Sequence, residues 1–277
     1  MSDGARAVAI LADVHGNLSA LEAVLTDVDA RGIREVVIAG DLVGFGASPN
    51  AVVDRLVAHG ATLVLGNHEA EYVGGYTDPA NRAAWRTDPD LASMCWYLDR
   101  LGPARTALLT ALPDRHWLDP ATLVTHGSPR HVRDAVRADT PDEELAAMFA
   151  PAPPRLTFVG HTHLPLLRDV PWGRVINVGS VGAPLDDPRA TYAVATRTAA
   201  TADGDWAVAL VRLSYDVEAA IAAYDAGMGA ADPTFAALMA CQLRTGRHVL
   251  RDWFRARAMF APAEWPVALA RILTDES

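Results

Sequence analysis

The sequence lacks any hydrophobic run that reaches the roughly 18 residues a membrane-spanning helix requires. Its N-terminal segment also lacks a charged region followed by an apolar stretch of signal-peptide length. Both absences lead us to expect a cytoplasmic protein that makes no contact with a membrane.

Cysteine is scarce, and basic charge is in the minority. The two cysteines, Cys95 and Cys241, lie far apart, so we expect free thiols in a reducing compartment rather than a disulfide framework. The formal net charge is -10, so the chain lacks the overall basic field that drives non-specific nucleic-acid binding. This charge disfavours a nucleic-acid partner but does not exclude a local basic patch.

The composition is that of a folded globular protein. Hydrophobic residues make up 51% and charged residues 21% of the 277 positions, and we find no internal repeat and no low-complexity segment. A chain of this length can bury a substantial core. We therefore predict a single domain over residues 1–277.

Short β-branched runs alternate with helical patterns in the first part of the chain. The runs at 7–12, 35–39 and 61–65 predict strands. Asn17 is a candidate N-cap for the first intervening helix, Ser48-Pro49 begins the second, and Gly60 ends it. This β-α-β-α-β order predicts an α/β fold with a mainly parallel sheet and helices on its faces.

Residues 70–115 interrupt this alternation. Asp88-Pro89 begins a helical pattern that Gly102-Pro103 ends, so we predict a helical insertion that serves as a lid. Strand patterns resume at 122–125 and 156–159. Runs at 191–196 and 206–213, joined by Asp203-Gly204, predict an antiparallel pair. A C-terminal extension over 215–277 follows, with three predicted helices.

The most informative pattern is that potential metal ligands occur where apolar runs stop. The five polar clusters are Asp13-Val-His15, Asp41, Gly66-Asn67-His68-Glu69, His126-Gly127 and His161-Thr162-His163. In open α/β sheets, ligands bind outside the carboxyl ends of the strands, so the five clusters can form one site. We expect the i and i+2 residues of the first and last clusters to project from the same side of an extended segment.

The residue types indicate which metals would bind. Imidazole, carboxylate and amide oxygen without thiolate suit Mn, Fe or Zn, and we favour Mn. Seven ligands are too many for one tetrahedral ion and fit two divalent transition-metal ions that share a carboxylate. Two ions about 3.5–4 Å apart can clamp a phosphoryl group and activate a bridging water.

The motif order D-x-H, G-D, G-N-H-E, H-G and G-H-T-H closely resembles that of the calcineurin-like metallophosphoesterase superfamily. The resemblance implies a four-layer α-β-β-α sandwich, the metallophosphoesterase fold, here with the helical insertion and C-terminal helices. It implies a catalytic His68 that contacts the leaving group or the phosphoryl oxygens. It also implies two metal sites that share Asp41, one formed by Asp13, His15, Asp41 and His163 and the other by Asp41, Asn67, His126 and His161.

Three positions depart from better-known branches of that superfamily. Gly44 stands where purple acid phosphatases have a metal-binding tyrosine and protein phosphatases an aspartate that orients the histidine. Phe45 and Leu65 stand where protein phosphatases have arginines. With the Asn177-Val-Gly-Ser-Val-Gly stretch, these departures resemble the small bacterial and archaeal phosphodiesterase-like branch. The partner of His68 stays open between Glu69 and a backbone carbonyl.

Together these features predict a phosphoesterase that favours phosphodiesters, in which a metal-bridging hydroxide attacks phosphorus and His68 assists the leaving oxygen. Arg130 and Arg133 are candidate substrate contacts. The partner would be a small phosphoester or nucleotide, and the sequence leaves the oligomeric state open. The alternatives are a nucleotide phosphatase or dinucleoside polyphosphatase, and a non-catalytic metal-binding scaffold. The complete ligand set weighs against the scaffold.

Overall fold

The computed structural model describes residues 6–197, 205–225 and 227–274. The turn predicted at Asp203-Gly204 lies outside these residues. The strands in this described part are β1 Arg6–Leu11, β2 Glu35–Ala39, β3 Thr62–Val64, β4 Arg115–Asp119, β5 Thr122–Thr125, β6 Leu156–Val159, β7 Leu166–Val170, β8 Gly173–Asn177, β9 Ala190–Arg197 and β10 Ala207–Leu213.

The helices follow the expected caps closely. They are α1 Leu18–Ala30, α2 Pro49–His59, α3 Gly74–Tyr76, α4 Pro79–Trp85, α5 Ala92–Thr110, α6 Asp142–Phe149, α7 Val217–Asp225, α8 Met228–Ala231, α9 Pro233–Thr245, α10 Val249–Met259 and α11 Trp265–Thr274. The Asn17 side chain accepts a hydrogen bond from Ala20 N, which confirms that cap. Gly60 ends α2 in the left-handed conformation. Ser48 precedes α2 as predicted, but its side chain makes no capping hydrogen bond.

The strands form two five-stranded sheets, with orders β10-β9-β1-β2-β3 and β4-β5-β6-β8-β7. In the first sheet β1, β2 and β3 are parallel, and β9 is antiparallel to both β1 and β10. The predicted antiparallel pair is therefore confirmed. This pair does not belong to the second sheet, because β9 lies beside β1 and extends the first sheet.

The second sheet was largely hidden from sequence analysis. Its centre is the parallel set β5, β6 and β8, and antiparallel strands β4 and β7 form its edges. We predicted β5 and β6 but not β4, β7 or β8. The edge strands mix charged with apolar residues and are partly exposed, so they lack the continuous apolar run of a central strand.

Side chains on the two faces of each sheet define four layers. In β1, Val8 and Ile10 pack between the sheets against Phe158 of β6 and Ile176 of β8. The alternate residues of β1, such as Leu11, pack under the helices on the outer face. A separate core lies under α6 on the outer face of the second sheet. This alternation is that of strands buried on both faces, and it confirms the α-β-β-α sandwich.

Two helical regions pack onto the helical layer of the first sheet. Residues 70–115 contain part of a π-helical turn, His68–Val73, then α3, α4, a 3-10 turn, Pro89–Leu91, and α5. Gly102 bends α5 where we predicted that one helix ends and another begins. The C-terminal region contains five described helices rather than three, with a 3-10 turn, Pro262–Glu264, before the last. Cys95 and Cys241 are free thiols, and no helix in the described ranges is long and apolar enough to cross a membrane.

Candidate metal centre

The five strand-end clusters meet where the carboxyl ends of the two sheets come together. The seven residues concerned, which we call the metal cluster, are Asp13 and His15 after β1, Asp41 after β2, Asn67 after β3, His126 after β5, and His161 and His163 after β6. Six of them are less than a tenth exposed, and His161 is partly buried. The structure therefore brings together all seven predicted ligands, across the junction of both sheets.

One part of the metal cluster is formed by the first and last clusters of the sequence. His15 Nε2 lies 3.0 Å from His163 Nε2. Asp13 Oδ1 lies 3.7 Å from His15 Nε2 and 3.3 Å from His163 Nε2. Two imidazole nitrogens and a carboxylate oxygen from distant segments thus point at a common centre, and their separations leave room for an ion held by all three.

Asp41 connects this part to a second one. Its Oδ2 lies 3.7 Å from His15 Nε2 and 3.3 Å from His126 Nε2. His126 Nε2 also lies 3.0 Å from Asn67 Oδ1, and the His161 ring lies against the His126 ring with 5.3 Å between centroids. Asp41 therefore occupies the position that a bridging carboxylate requires.

The backbone of the metal cluster differs from the extended one that we expected. Five of the seven residues have positive φ, between 48° and 68°, namely Asp13, His15, Asp41, His161 and His163. Non-glycine residues seldom adopt this left-handed conformation, and such strain concentrates at functional sites. The i and i+2 side chains do converge, but because two left-handed residues turn the chain and not because the segment is extended.

Main-chain carbonyls orient three of the histidine rings. In each ring Nδ1 donates to a carbonyl, and Nε2 then faces the centre of the metal cluster, as in most metal-binding histidines. The contacts are His15 to Val43 O at 3.3 Å, His126 to Ala39 O at 2.8 Å, and His163 to Ala183 O at 2.6 Å. Asp13 Oδ1 is buried and has no hydrogen-bond partner in the described part of the chain. This donor set fits a borderline divalent cation, which would satisfy that oxygen.

Charge within the metal cluster is balanced between carboxylates and imidazoles. Burial opposes ionisation of Asp41, yet His126 and His68 beside it hold its pKa well below the usual range. Burial likewise opposes protonation of His126, but Asp41 raises the pKa of His126 to about 10. Asp13 raises the pKa of His163 against the same effect of burial. The buried carboxylates thus require positive charge, and a metal ion would displace these protons.

Glu69 braces the metal cluster, a role that the sequence did not reveal. It is fully buried, and its carboxylate accepts hydrogen bonds from the backbone N–H groups of Asp41, Leu42, Val43 and Gly66 at 2.9–3.2 Å. Burial and the charge of Asp41 raise the pKa of Glu69 to about 7. Glu69 therefore ties the loop after β2 to the loop after β3, and its carboxylate does not orient His68.

His68 lies beside the metal cluster, in an aromatic setting. Its ring centroid is 5.0 Å from both Phe45 and Tyr72, and its Nδ1 is buried without a hydrogen-bond partner among the described residues. The His15 and His68 rings pack over Gly44, where a Cβ would lie 2.5 Å from His15 Nδ1 and 2.6 Å from His68 Nδ1. The space that a larger residue occupies in other branches is therefore filled by the two rings here.

His68 begins a helical turn directly after Asn67 and is not part of an extended strand, so the side chains of these two residues are not forced to opposite sides. A ring nitrogen of His68 also lies within 4.8 Å of ligand atoms of His15 and Asp41. Its position is therefore compatible with contact to a substrate oxygen.

A cavity of about 600 Å³ opens above the metal cluster. Its floor includes His15, Asp41, Asn67, His68, His161 and His163. We use the term outer cavity for its other lining residues, which come chiefly from three segments, 90–97, 133–137 and 235–254. Those segments belong to the insertion, to the loop after β5 and to the C-terminal helices, so both helical regions enclose the site.

Only one of the two predicted substrate arginines reaches this cavity. Arg133 lines it and pairs with Glu71, whereas Arg130 pairs with Asp134 and is not among the lining residues. Arg137, which we did not predict, lines the cavity and forms no ion pair within the described residues. Whether an arginine is already neutralised depends on neighbours distant in sequence, so no local pattern could have distinguished these three.

Comparison with known families agrees with this fold and donor set. The model of the calcineurin-like phosphoesterase superfamily domain matches residues 7–200 of this chain. The chain therefore belongs to the calcineurin-like phosphoesterase superfamily, whose members hydrolyse phosphoesters with the help of metal ions. The match includes all seven residues of the metal cluster and ends before the C-terminal helices.

Individual relatives cover most of the chain. A metallophosphoesterase from Sphaerobacter thermophilus is 27% identical, with a TM-score of 0.66 over 87% of this chain and 99% of its own. A hypothetical protein from Pyrococcus horikoshii OT3 shares the fold at 21% identity, with a TM-score of 0.67 over 87% and 98% of the two chains. An uncharacterized protein of Methanocaldococcus jannaschii is 27% identical over 235 residues, 77% of this chain and 89% of its own.

Proposed function

We propose that this protein is a dinuclear metal-dependent phosphoesterase that favours phosphodiesters. The observation that carries the proposal is the buried convergence of Asp13 and Asp41 with three carbonyl-oriented histidines. Asp13 Oδ1 has no hydrogen-bond partner in the described ranges although two imidazole nitrogens face it. Burying such an oxygen is costly unless a cation completes the site.

The metal cluster divides into two sets of ligands that share Asp41. We assign Asp13, His15, Asp41 and His163 to the first ion and Asp41, Asn67, His126 and His161 to the second, with Mn favoured and Fe or Zn as alternatives. The distances from Asp41 Oδ2 to His15 and His126 support the bridging role. When bound, the two ions supply charge stabilisation for the phosphoryl oxygens and a water of lowered pKa as nucleophile.

His68 is proposed to act on the leaving oxygen. Its ring faces the cavity next to the metal cluster and is held by Phe45 and Tyr72. Burial lowers the pKa of His68, which opposes the protonated ring that a general acid requires. The negative charge of a bound phosphoester would raise that pKa again, so that the protonated ring gives its proton to the leaving oxygen and returns to the neutral form. Its proposed function is therefore to stabilise the departing group and not to bind an ion.

The charge of the cavity supports the preference for diesters. Phe45 lies in its wall at the position where related phosphatases carry an arginine. Of the lining arginines, Arg133 pairs with Glu71 and Arg251 pairs with Asp252, which leaves Arg137 as the one without a carboxylate among the described residues. A single uncompensated guanidinium suits the one charge of a diester better than the two charges of a monoester.

The helical insertion is proposed to cover the site through its segment 90–97. Its start and end lie near the metal cluster, but within it the residues that line the cavity after Tyr72 are those of segment 90–97. The segment from Tyr76 to Trp85 does not line the cavity, and the rings of these two residues stack on each other. Substrate contacts are therefore expected from the beginning of α5.

A turnover assay with controlled metal content tests this function. Removal of metal by chelation should abolish hydrolysis of bis(p-nitrophenyl) phosphate, and Mn should restore it. The metal-loaded enzyme should show a higher kcat/KM for this diester than for a phosphoserine peptide. Full activity in excess chelator contradicts the metal mechanism, faster peptide turnover contradicts the diester preference, and no turnover of either substrate favours the metal-binding scaffold.

A further inference from the structure

The outer cavity contains a buried side-chain amide whose oxygen has no hydrogen-bond partner in the described part of the protein. Gln242 of α9 lines the cavity and is 1% exposed, and its Oε1 has no hydrogen-bond partner there. The other buried residues of this helix are Leu238, Met239 and Leu243, so an apolar residue would be the ordinary choice at this position. Unpaired buried polar atoms are rare and costly, so this one calls for a specific partner.

A second unpaired polar group lines the same cavity. Tyr97 of α5 is 1% exposed, and its hydroxyl has no hydrogen-bond partner within the described residues. The two groups come from the insertion and from the C-terminal helices, which are separate parts of the chain. Two separate segments of the outer cavity therefore present hydrogen-bonding capacity that a ligand could use.

Aromatic rings lead from the metal cluster to Gln242. The Phe45 ring stacks on His15 with 4.4 Å between centroids, and Phe235 of α9 lies 6.3 Å beyond Phe45. Phe235 and Gln242 are seven residues apart, so they lie on the same face of α9 about 10 Å apart along its axis. A group attached to phosphorus that contacts both residues has to be longer than a single small ring.

We propose that α9, together with Phe45 and Tyr97, forms a binding site for the organic group of the phosphoester, and that this group is of nucleoside type. Its flat ring packs along Phe45 and Phe235, and the hydrogen-bonding edge of that ring pairs with the Gln242 amide. This inference rests on the proposed function for the identity of the phosphoryl site. It adds the chemical class of the ester, and it assigns part of the recognition of that ester to α9, a helix outside the matched family domain.

Binding of hydrolysis-resistant phosphonates separates this inference from catalysis. The probes are 5′-deoxythymidine 5′-phosphonate and phenylphosphonate, measured by calorimetry on the Mn-loaded protein. We expect the nucleoside phosphonate to bind at least about tenfold more tightly than phenylphosphonate, the factor that one satisfied buried hydrogen bond supplies. Gln242→Met should reduce that ratio by about the same factor and leave phenylphosphonate binding unchanged.

A stability measurement distinguishes recognition from a structural role. Because Gln242→Met removes an unpaired buried amide, it should raise the melting temperature, by about 2–4 °C. Leu243→Met is the matched control, since Leu243 is equally buried on the same helix but does not line the cavity, and it should leave the binding ratio unchanged.

The inference is overturned if the two phosphonates bind equally to the unaltered protein. It is also overturned if Gln242→Met lowers the melting temperature and leaves the ratio intact, because the amide is then structural or bound to internal water. The failure of the proposed function looks different. If no phosphodiester is hydrolysed but the binding ratio and its dependence on Gln242 persist, catalysis is rejected and the binding site is supported.

Discussion

The metal cluster and the outer cavity above it differ in how far their buried polar groups are hydrogen-bonded within the protein. In the metal cluster, backbone carbonyls hold three histidine rings, and four N–H groups brace Glu69 beside Asp41. In the outer cavity, the Gln242 amide oxygen and the Tyr97 hydroxyl have no partner within the described ranges. The fold therefore supplies hydrogen bonds to much of the metal cluster, where Asp13 Oδ1 is left for a cation, and supplies none to these two groups of the outer cavity within the described residues.

This difference predicts that the metal cluster serves catalysis and the outer cavity serves substrate selectivity. A braced cluster keeps its geometry in the absence of substrate, which is the arrangement that electrostatic catalysis requires. Groups left unpaired in a cavity gain their partners only when a ligand enters, which is the arrangement that selectivity requires. Changes in the metal cluster should therefore affect every substrate, whereas changes in the outer cavity should affect affinity for particular ones.

The largest effect is expected from Asp41→Asn. Since Asp41 Oδ2 lies between His15 and His126, its charge serves both proposed ions, and metal analysis should show that both are depleted. The loss of kcat should exceed the about 10–100-fold that follows removal of an outer partner of a metal ligand. Asp134→Asn is the control, because Asp134 pairs with Arg130 away from the cavity. One ion that remains tightly bound would show that Asp41 is not the bridge.

A smaller loss, confined to the chemical step, is expected from His68→Ala. Metal content should stay near normal while kcat falls by about 10²–10⁴-fold, the usual contribution of a general acid. The loss should be largest for an alkoxide leaving group and should shrink for nitrophenolate, which departs without protonation. Depletion of an ion would instead place His68 among the ligands, and equal losses for both leaving groups would reject the acid role.

The smallest effect is expected from Arg137→Gln, which tests the outer cavity alone. Because Arg137 has no carboxylate partner in the described part of the chain, its guanidinium is available to an anionic substrate, and its loss should raise KM about tenfold with little change in kcat. Arg130→Gln should leave KM unchanged, since Arg130 is paired with Asp134 outside the cavity. A fall in kcat with unchanged KM would contradict the assignment of Arg137 to substrate binding alone.

The sequence revealed the metal cluster more completely than it revealed the fold. All seven residues could be found because each lies within a few residues of the end of an apolar run, so its identity and its place at a strand end are local features. The second sheet was harder to predict. Strands β4 and β7 lie at its edges, and their mixed charged and apolar residues do not distinguish them from loops.

The sequence by itself determined the class of chemistry, because ligand types and their order along the chain do not depend on distant contacts. Tertiary structure decided the rest, for reasons of proximity. Only folding shows that Glu69 joins two loops, that Arg130 and Arg133 are already neutralised, and that Arg137 is not. Only folding brings α9 to the cavity above the metal cluster, where the amide oxygen of Gln242 is buried without a partner among the described residues. The sequence could not show this, because burial and pairing depend on neighbours that are remote in the chain.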